Sequence, residues 1–164
     1  ASSLPEEWVY PLSLTLEKLF KGGTDYYRIT TRLISGEPKI QEVQIDIKPG
    51  WRTGTRIIFP GAGNERYPGV FQTIVFVVQQ VDHKMFRRRE NGNLEYEQYI
   101  SPLDARNTNG TKPLRKLVGL DGKVIELYPP RGAIWDGQET VIKGEGMHKR
   151  SKGKVVGRGD LIVR

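Results

Sequence analysis

A ten-residue segment occurs twice in this chain, and the recurrence constrains the fold more than any other feature. Gly54-Thr-Arg-Ile-Ile-Phe-Pro-Gly-Ala-Gly63 and Gly137-Gln-Glu-Thr-Val-Ile-Lys-Gly-Glu-Gly146 keep three glycines and three central β-formers in register. A second copy of a strand bracketed by turn glycines predicts a second domain. Across 164 residues the repeat implies two units of about eighty residues each, with the boundary near Asp82, so 1–81 and 82–164.

The first copy sits within 43–63. Val43, Ile45 and Ile47 alternate with Gln44, Asp46 and Lys48, the period of a strand with one buried and one wet face. Pro49-Gly50 interrupts it, and the chain resumes over 55–59. Upstream, Tyr10, Leu12 and Leu14 mark a first strand, Thr15 an N-cap, and Leu16, Leu19 and Phe20 the apolar face of a short helix ending at Gly22-Gly23. Tyr27, Ile29, Thr31 and Leu33 alternate in a second strand. Residues 64–69 read as loop, and 72–79, apolar on both faces, as a central strand. In the second half Asn91-Gly92-Asn93 is a tight turn. Leu94, Tyr96 and Gln98 form a strand expected to bury little, and Ser101-Pro102 opens a short helix. Further strands are expected over 114–117, 123–127, 138–142 and 160–163. The fold class is mostly β: two tandem, similar β-sandwich-like domains, each with a short helix.

Composition narrows the chemistry. There is no cysteine, which removes disulfides and thiolate sites and fits a reducing compartment, so a cytoplasmic or also nuclear location is expected. No apolar run approaches the roughly 20 residues of a membrane span, and no signal peptide opens the chain; a soluble protein with no membrane partner is expected. A formal net charge of +7 favours acidic partners. Catalytic constellations are missing. The two histidines, His83 and His148, belong to no metal-binding pair, and there is no nucleophile elbow or phosphate loop. No enzyme, metal or cofactor is expected. Gly144-Glu-Gly146 and Arg158-Gly159-Asp160 read as turn chemistry, and Asn109-Gly110-Thr111 is a glycosylation sequon only for a secreted chain.

Two basic clusters, Lys84 with Arg87, Arg88 and Arg89, and the segment 148–154, read as solvated loops, with contact to an acidic peptide or a nucleic-acid backbone as the functional alternative. In the first half, Tyr10, Leu12, Tyr27, Ile29 and Phe76 are either core or the lining of a shallow trough beside a sheet edge. A trough there could take an extended peptide as an added strand.

Five ordered motifs resemble a known family: Leu14-Thr-Leu-Glu-Lys-Leu-Phe-Lys-Gly-Gly23, Ile45-Asp-Ile-Lys-Pro-Gly-Trp-Arg-Thr-Gly-Thr-Arg-Ile57, His83-Lys-Met-Phe-Arg-Arg with Asn93-Leu94, Leu120-Asp-Gly-Lys-Val124, and Gly144-Glu-Gly-Met147 with Arg158-Gly-Asp-Leu-Ile-Val163. From about Tyr10 onward the chain resembles the C-terminal substrate-binding region of the DnaJ-type co-chaperones, the heat-shock protein 40 family, in its class without a zinc finger. The resemblance implies a co-chaperone module that holds unfolded client polypeptide in a groove at Tyr10, Leu12, Tyr27, Ile29 and Phe76 and delivers it to the seventy-kilodalton heat-shock chaperone. It implies that the acidic C-terminal tail of that chaperone binds near Arg28, with Lys21 or Lys39 standing in for lysines that Asp25 and Ile40 replace. Without a His-Pro-Asp tripeptide the chain should not by itself stimulate the partner's ATPase. Relatives continue past the position of Arg164 into a dimerisation segment, so a monomeric fragment of a homodimeric parent is expected. The alternative is a basic β-rich nucleic-acid-binding protein.

Overall fold

The computed structural model describes residues 4–99, 113–128 and 137–164. The helix expected after Ser101, the Asn109 sequon and Trp135 lie outside the described residues. The chain forms two compact units, Ala1–Val81 and Asp82–Arg164, and the described residues are mostly β. None of their helices is long and apolar enough to cross a membrane.

The first unit runs β1 (Glu7–Leu14), α1 (Leu16–Lys21), β2 (Gly23–Arg32), β3 (Pro38–Ile47), β4 (Arg56–Phe59), β5 (Glu65–Tyr67), β6 (Val70–Phe71) and β7 (Thr73–Gln80). The Thr15 hydroxyl accepts the Lys18 N–H at 3.2 Å, and α1 buries Leu16, Leu19 and Phe20. It stops at Gly22, whose φ is +74° and where a Cβ would come 2.6 Å from the Ile47 carbonyl oxygen. β2 and β3 pair antiparallel over ten residues each. The inner face of this hairpin carries Tyr27, Ile29 and Thr31 with buried Val43, Ile45 and Ile47.

β7 is central: β1 pairs with it parallel, β4 antiparallel. Ile74, Phe76 and Val78 face inward with Leu12 and Leu14 of β1. On the opposite face Val75 is also fully buried. Glu7 on β1 and Arg56 on β4 form an ion pair of 3.3 Å, and the register places Val75 between them. Their stems and charged heads roof an apolar residue that the three-stranded sheet would otherwise expose.

The second unit runs β8 (Phe86–Arg88), a 3-10 turn (Glu90–Gly92), β9 (Leu94–Tyr96), β10 (Arg115–Val118), β11 (Val124–Leu127), β12 (Thr140–Ile142), β13 (His148–Ser151), β14 (Lys154–Arg158) and β15 (Leu161–Val163). β15 pairs parallel with β9 and antiparallel with β12, and β8 adds to β9 in the order β12-β15-β9-β8. The repeat seen in the sequence is therefore a repeat of topology, because β1-β7-β4 and β9-β15-β12 have the same order and strand senses. The glycines match as well. Gly54 and Gly137 have φ of +97° and +79°, and Gly61 and Gly144 have +69° and +73°. The third of each set makes a close approach instead: a Cβ on Gly63 would lie 2.6 Å from Gln72 Cβ, and one on Gly146 2.6 Å from Gly159 C. Gly63 N–H donates to the Gln72 carbonyl at 2.8 Å and Gly146 N–H to the Gly159 carbonyl at 2.9 Å.

Four expectations are corrected. Residues 64–69 are not simply loop. They contribute β5, which pairs with β6, and Glu65 stabilises the turn by accepting the Gly69 and Ile34 N–H groups. The strand at Leu94 and Tyr96 buries both residues, at 1% and 4% exposure, because β8 and β15 flank it. The cluster at Arg87 and Arg88 lies on β8, a paired strand. The cluster 148–154 is the β13–β14 hairpin, whose turn residues Lys152 and Gly153 both have positive φ, 50° and 76°, as a two-residue hairpin turn requires.

Glu95 ties the second unit's sheet together. It accepts Arg89 Nε at 2.7 Å and Arg164 Nη1 at 3.3 Å. The Arg89 hydrogen bond holds its carboxyl below the usual range against the opposing effect of burial, with Arg164 adding to it. A depressed folded pKa stabilises the fold above the unfolded value, and the contribution fades as pH falls through the folded one. Glu95→Gln is expected to cost about 1–2 kcal/mol at pH 7. In urea denaturation read by hydrogen exchange at β9 and β15, the gap to the parent should close once pH drops below the carboxylate range.

Candidate functional site

Phe76 of β7, 2% exposed, is the centre of an aromatic cluster. The β1–β7 register sets Tyr10 directly beside it, with ring centroids 5.8 Å apart and planes at 75°. Tyr27 of β2 meets it at 6.0 Å and Phe59 of β4 at 5.7 Å. Trp8 then extends the cluster along β1, 6.3 Å from Tyr10 in an edge-on contact. Edge-to-face pairs of this kind contribute about 0.5–1.5 kcal/mol beyond the area they bury.

Exposure is graded across the five positions singled out in the sequence. Leu12 and Phe76 are buried at 4% and 2%, Tyr27 and Ile29 are half-buried, and Tyr10 is 50% exposed. Leu12 and Phe76 are thus core positions, and the other three lie at its partly exposed margin. The structure brings Tyr10, Tyr27 and Phe76 into ring contact. Leu12 follows Tyr10 on the same face of β1, and Ile29 follows Tyr27 on the same face of β2. Trp8 and Phe59 were missed in the sequence, although Trp8 shares the parity of Tyr10 and could have been included on that ground.

Polar contacts flank Tyr27. The Tyr27 hydroxyl donates to Asp25 Oδ2 at 3.3 Å, and Asp25 Oδ1 holds Lys18 Nζ at 2.8 Å. Burial, and next the Asp25 charge, push the Tyr27 phenol up, so it stays a neutral donor. Beside the cluster are two unfilled sheet edges: among the described strands, β1 pairs with β7 alone and β2 with β3 alone.

The basic positions are not gathered in one place. Arg28 alternates with Tyr27 and Ile29, so it lies on the outer face of the hairpin, opposite Glu42. Lys39 lies over the Phe71 ring at 5.0 Å. Lys21 is exposed in the last turn of α1. In the second unit a cavity of about 450 Å³ is bordered by Lys84, Arg87 and Arg115, and Arg115 donates to the Tyr96 hydroxyl. No group of three or more His, Asp or Glu among the described residues is placed to hold a metal.

Residues 8–164 match the family model of the DnaJ C terminal domain. The chain is 32% identical over 161 residues to human DnaJ homolog subfamily B member 5, covering 94% of this chain and 44% of that protein. It is 36% identical over 141 residues to human DnaJ homolog subfamily B member 13, covering 83% of this chain and 43% of the relative. Against Protein SIS1 of Saccharomyces cerevisiae it is 27% identical over 165 residues, with 98% and 44% covered. The chain thus spans less than half the length of these relatives. Because the family match begins at Trp8 and runs through both β units to Arg164, the chain belongs to the DnaJ C-terminal domain family.

Proposed function

We propose that the first unit is a non-enzymatic holding site for extended, apolar segments of unfolded polypeptide, and that the longer protein delivers them to the seventy-kilodalton heat-shock chaperone. The observation that carries this reading is Tyr10, half exposed above a floor of Leu12 and Phe76 and beside a strand edge that no described strand fills. Main-chain bonding to that edge supplies affinity, and the aromatic rim supplies loose selectivity for apolar side chains. Membership of the DnaJ family supports it.

Leu12 is too deep to serve as a test, since a charge at a core position would unfold the unit rather than probe the groove. The informative variant is Tyr10→Ser combined with Ile29→Ser, both at the rim. It is expected to weaken binding of a fluorescent denatured client about tenfold or more, the equivalent of ~1.4 kcal/mol, while the far-ultraviolet spectrum stays unchanged. Unchanged affinity in the folded variant would remove the groove assignment. A peptide with the partner's acidic tail should shift the amides around Arg28. The nucleic-acid alternative rests on both basic clusters, Lys84 with Arg87, Arg88 and Arg89 and the 148–154 segment, and it requires affinity that falls steeply with salt, whereas apolar client binding should change little.

A further inference from the structure

In the second unit the β8–β9 pair comes apart at one end, and a cavity opens there. Arg89 N–H donates to the Asn93 carbonyl at 2.8 Å, so antiparallel alternation makes Arg87 with Glu95, and then Met85 with Glu97, the next hydrogen-bonding pairs. The ladder nevertheless stops at Phe86 opposite Tyr96. His83 takes the Met85 N–H that would have continued it. Its Nδ1 accepts that group at 3.0 Å and the Phe86 N–H at 3.1 Å, and its ring packs on Phe86 with centroids 5.2 Å apart. On the other side Gln98 N–H donates to the Arg164 carbonyl at 2.9 Å, so the chain beyond β9 keeps to β15. Between the diverging segments lies the cavity of about 450 Å³, with Lys84, Met85, Arg87, Glu97, Tyr99 and Arg115 in its wall. Small-molecule sites have volumes of about 300–1,000 Å³.

The charges around it do not cancel. Arg87 stands opposite Glu95, but both oxygens of that carboxylate are already engaged, Oε2 by Arg89 at 2.7 Å and Oε1 by Arg164 at 3.3 Å. Among the described residues Arg87 and Lys84 make no ion pair. Arg115 donates to the neutral Tyr96 hydroxyl rather than to a carboxylate. Glu97 alone remains to oppose these three cations, and it accepts the Tyr99 hydroxyl at 3.4 Å. Three positive charges against one negative leave the wall two short of neutrality. A phosphomonoester carries about −1.5 to −2 at pH 7, and guanidinium forks match its oxygens two at a time. Met85 and Tyr99, both exposed, add apolar and aromatic surface at the same cavity.

We infer that this cavity binds a phosphomonoester of an aromatic group. Arg87, Arg115 and Lys84 take the phosphate, and Met85 and Tyr99 cover the ring. His83 acts as a positioning residue, because it holds the Met85 backbone away from β9. The site is independent of the holding site in the first unit.

The test is a backbone-amide titration of the full chain with phenyl phosphate, inorganic phosphate and phenol. Phenyl phosphate should shift the amides of 84–87 and 97–99 along one saturating curve, and inorganic phosphate and phenol should each bind at least tenfold more weakly. Arg87→Ala should weaken phenyl phosphate about tenfold while client anisotropy stays at the parent value. Lys84→Ala, outside any strand, repeats the reading without touching β8, and Lys152→Ala in the β13–β14 turn should change nothing. No shift at 84–87, or equal shifts at 148–154, overturns the site. Inorganic phosphate binding as tightly as phenyl phosphate overturns the aromatic half of the assignment, and phenol doing so overturns the phosphate half. A short phosphotyrosine peptide then distinguishes the sources: tighter binding than phenyl phosphate assigns the ligand to a modified protein, and weaker binding to a free small molecule.

Discussion

Gly159→Ala is expected to abolish cooperative folding of the second unit. A Cβ at this position would lie 2.2 Å from the Gly92 carbonyl oxygen, 2.4 Å from its carbon and 2.8 Å from Asn93 N, all backbone atoms. None can swing aside as a side-chain tip would. Gly92 is itself constrained at φ +77°, and its carbonyl accepts the Met147 N–H at 2.7 Å while Gly159 N–H donates to Met147 at 2.8 Å. Relieving the clash would break this junction, where the β8–β9 turn meets the start of β15. Overpacking together with the lost hydrogen bonds should cost about 3 kcal/mol or more. A unit of this size holds only about 4–12 kcal/mol in total. In hydrogen exchange the amides of β9, β12 and β15 should lose their protection. Parent-like protection there would mean that the backbone at Gly159 is less closely packed than the structure has it.

Phe76→Ala should be costly in a different way. It removes a side chain that is 2% exposed and in ring contact with Tyr10, Tyr27 and Phe59, so about 3–5 kcal/mol of stability should be lost from the first unit. Client binding should fall with it, because Tyr10 and Tyr27 lose the surface against which they are oriented. The Tyr10→Ser and Ile29→Ser rim variant should lose binding with far less stability. Urea denaturation followed by tryptophan fluorescence, alongside client anisotropy, separates the two effects. If Phe76→Ala were well folded and bound client normally, the aromatic cluster could be neither floor nor scaffold of the site.

Much of this was legible before any coordinates. Thr15 and Gly22 bound α1 because capping chemistry is local. The alternation of Tyr27, Ile29 and Thr31, and of Val43, Ile45 and Ile47, reports strands because period 2 is a property of the chain itself. The short strands were harder to see. β8 at Phe86–Arg88 and β13 at His148–Ser151 consist largely of cationic residues that resemble solvated loop. They are strands because a neighbour accepts their backbone hydrogen bonds, and composition does not announce that neighbour.

The candidate site shows the same division. Tyr10 and Leu12 have the same parity on one strand, and the sequence by itself determined that both face inward, that the unit is duplicated, and that glycines punctuate the copies at matched positions. Which of the two residues is buried and which is half exposed was decided only by tertiary structure. So was the contrast between Tyr10 and Tyr96, which are equivalent in topology and opposite in exposure. The physical reason is that burial depends on what lies across the sheet edge, and strand pairing joins residues whose separation along the chain carries no local signal. In the second unit β8 fills that edge; in the first no described strand does.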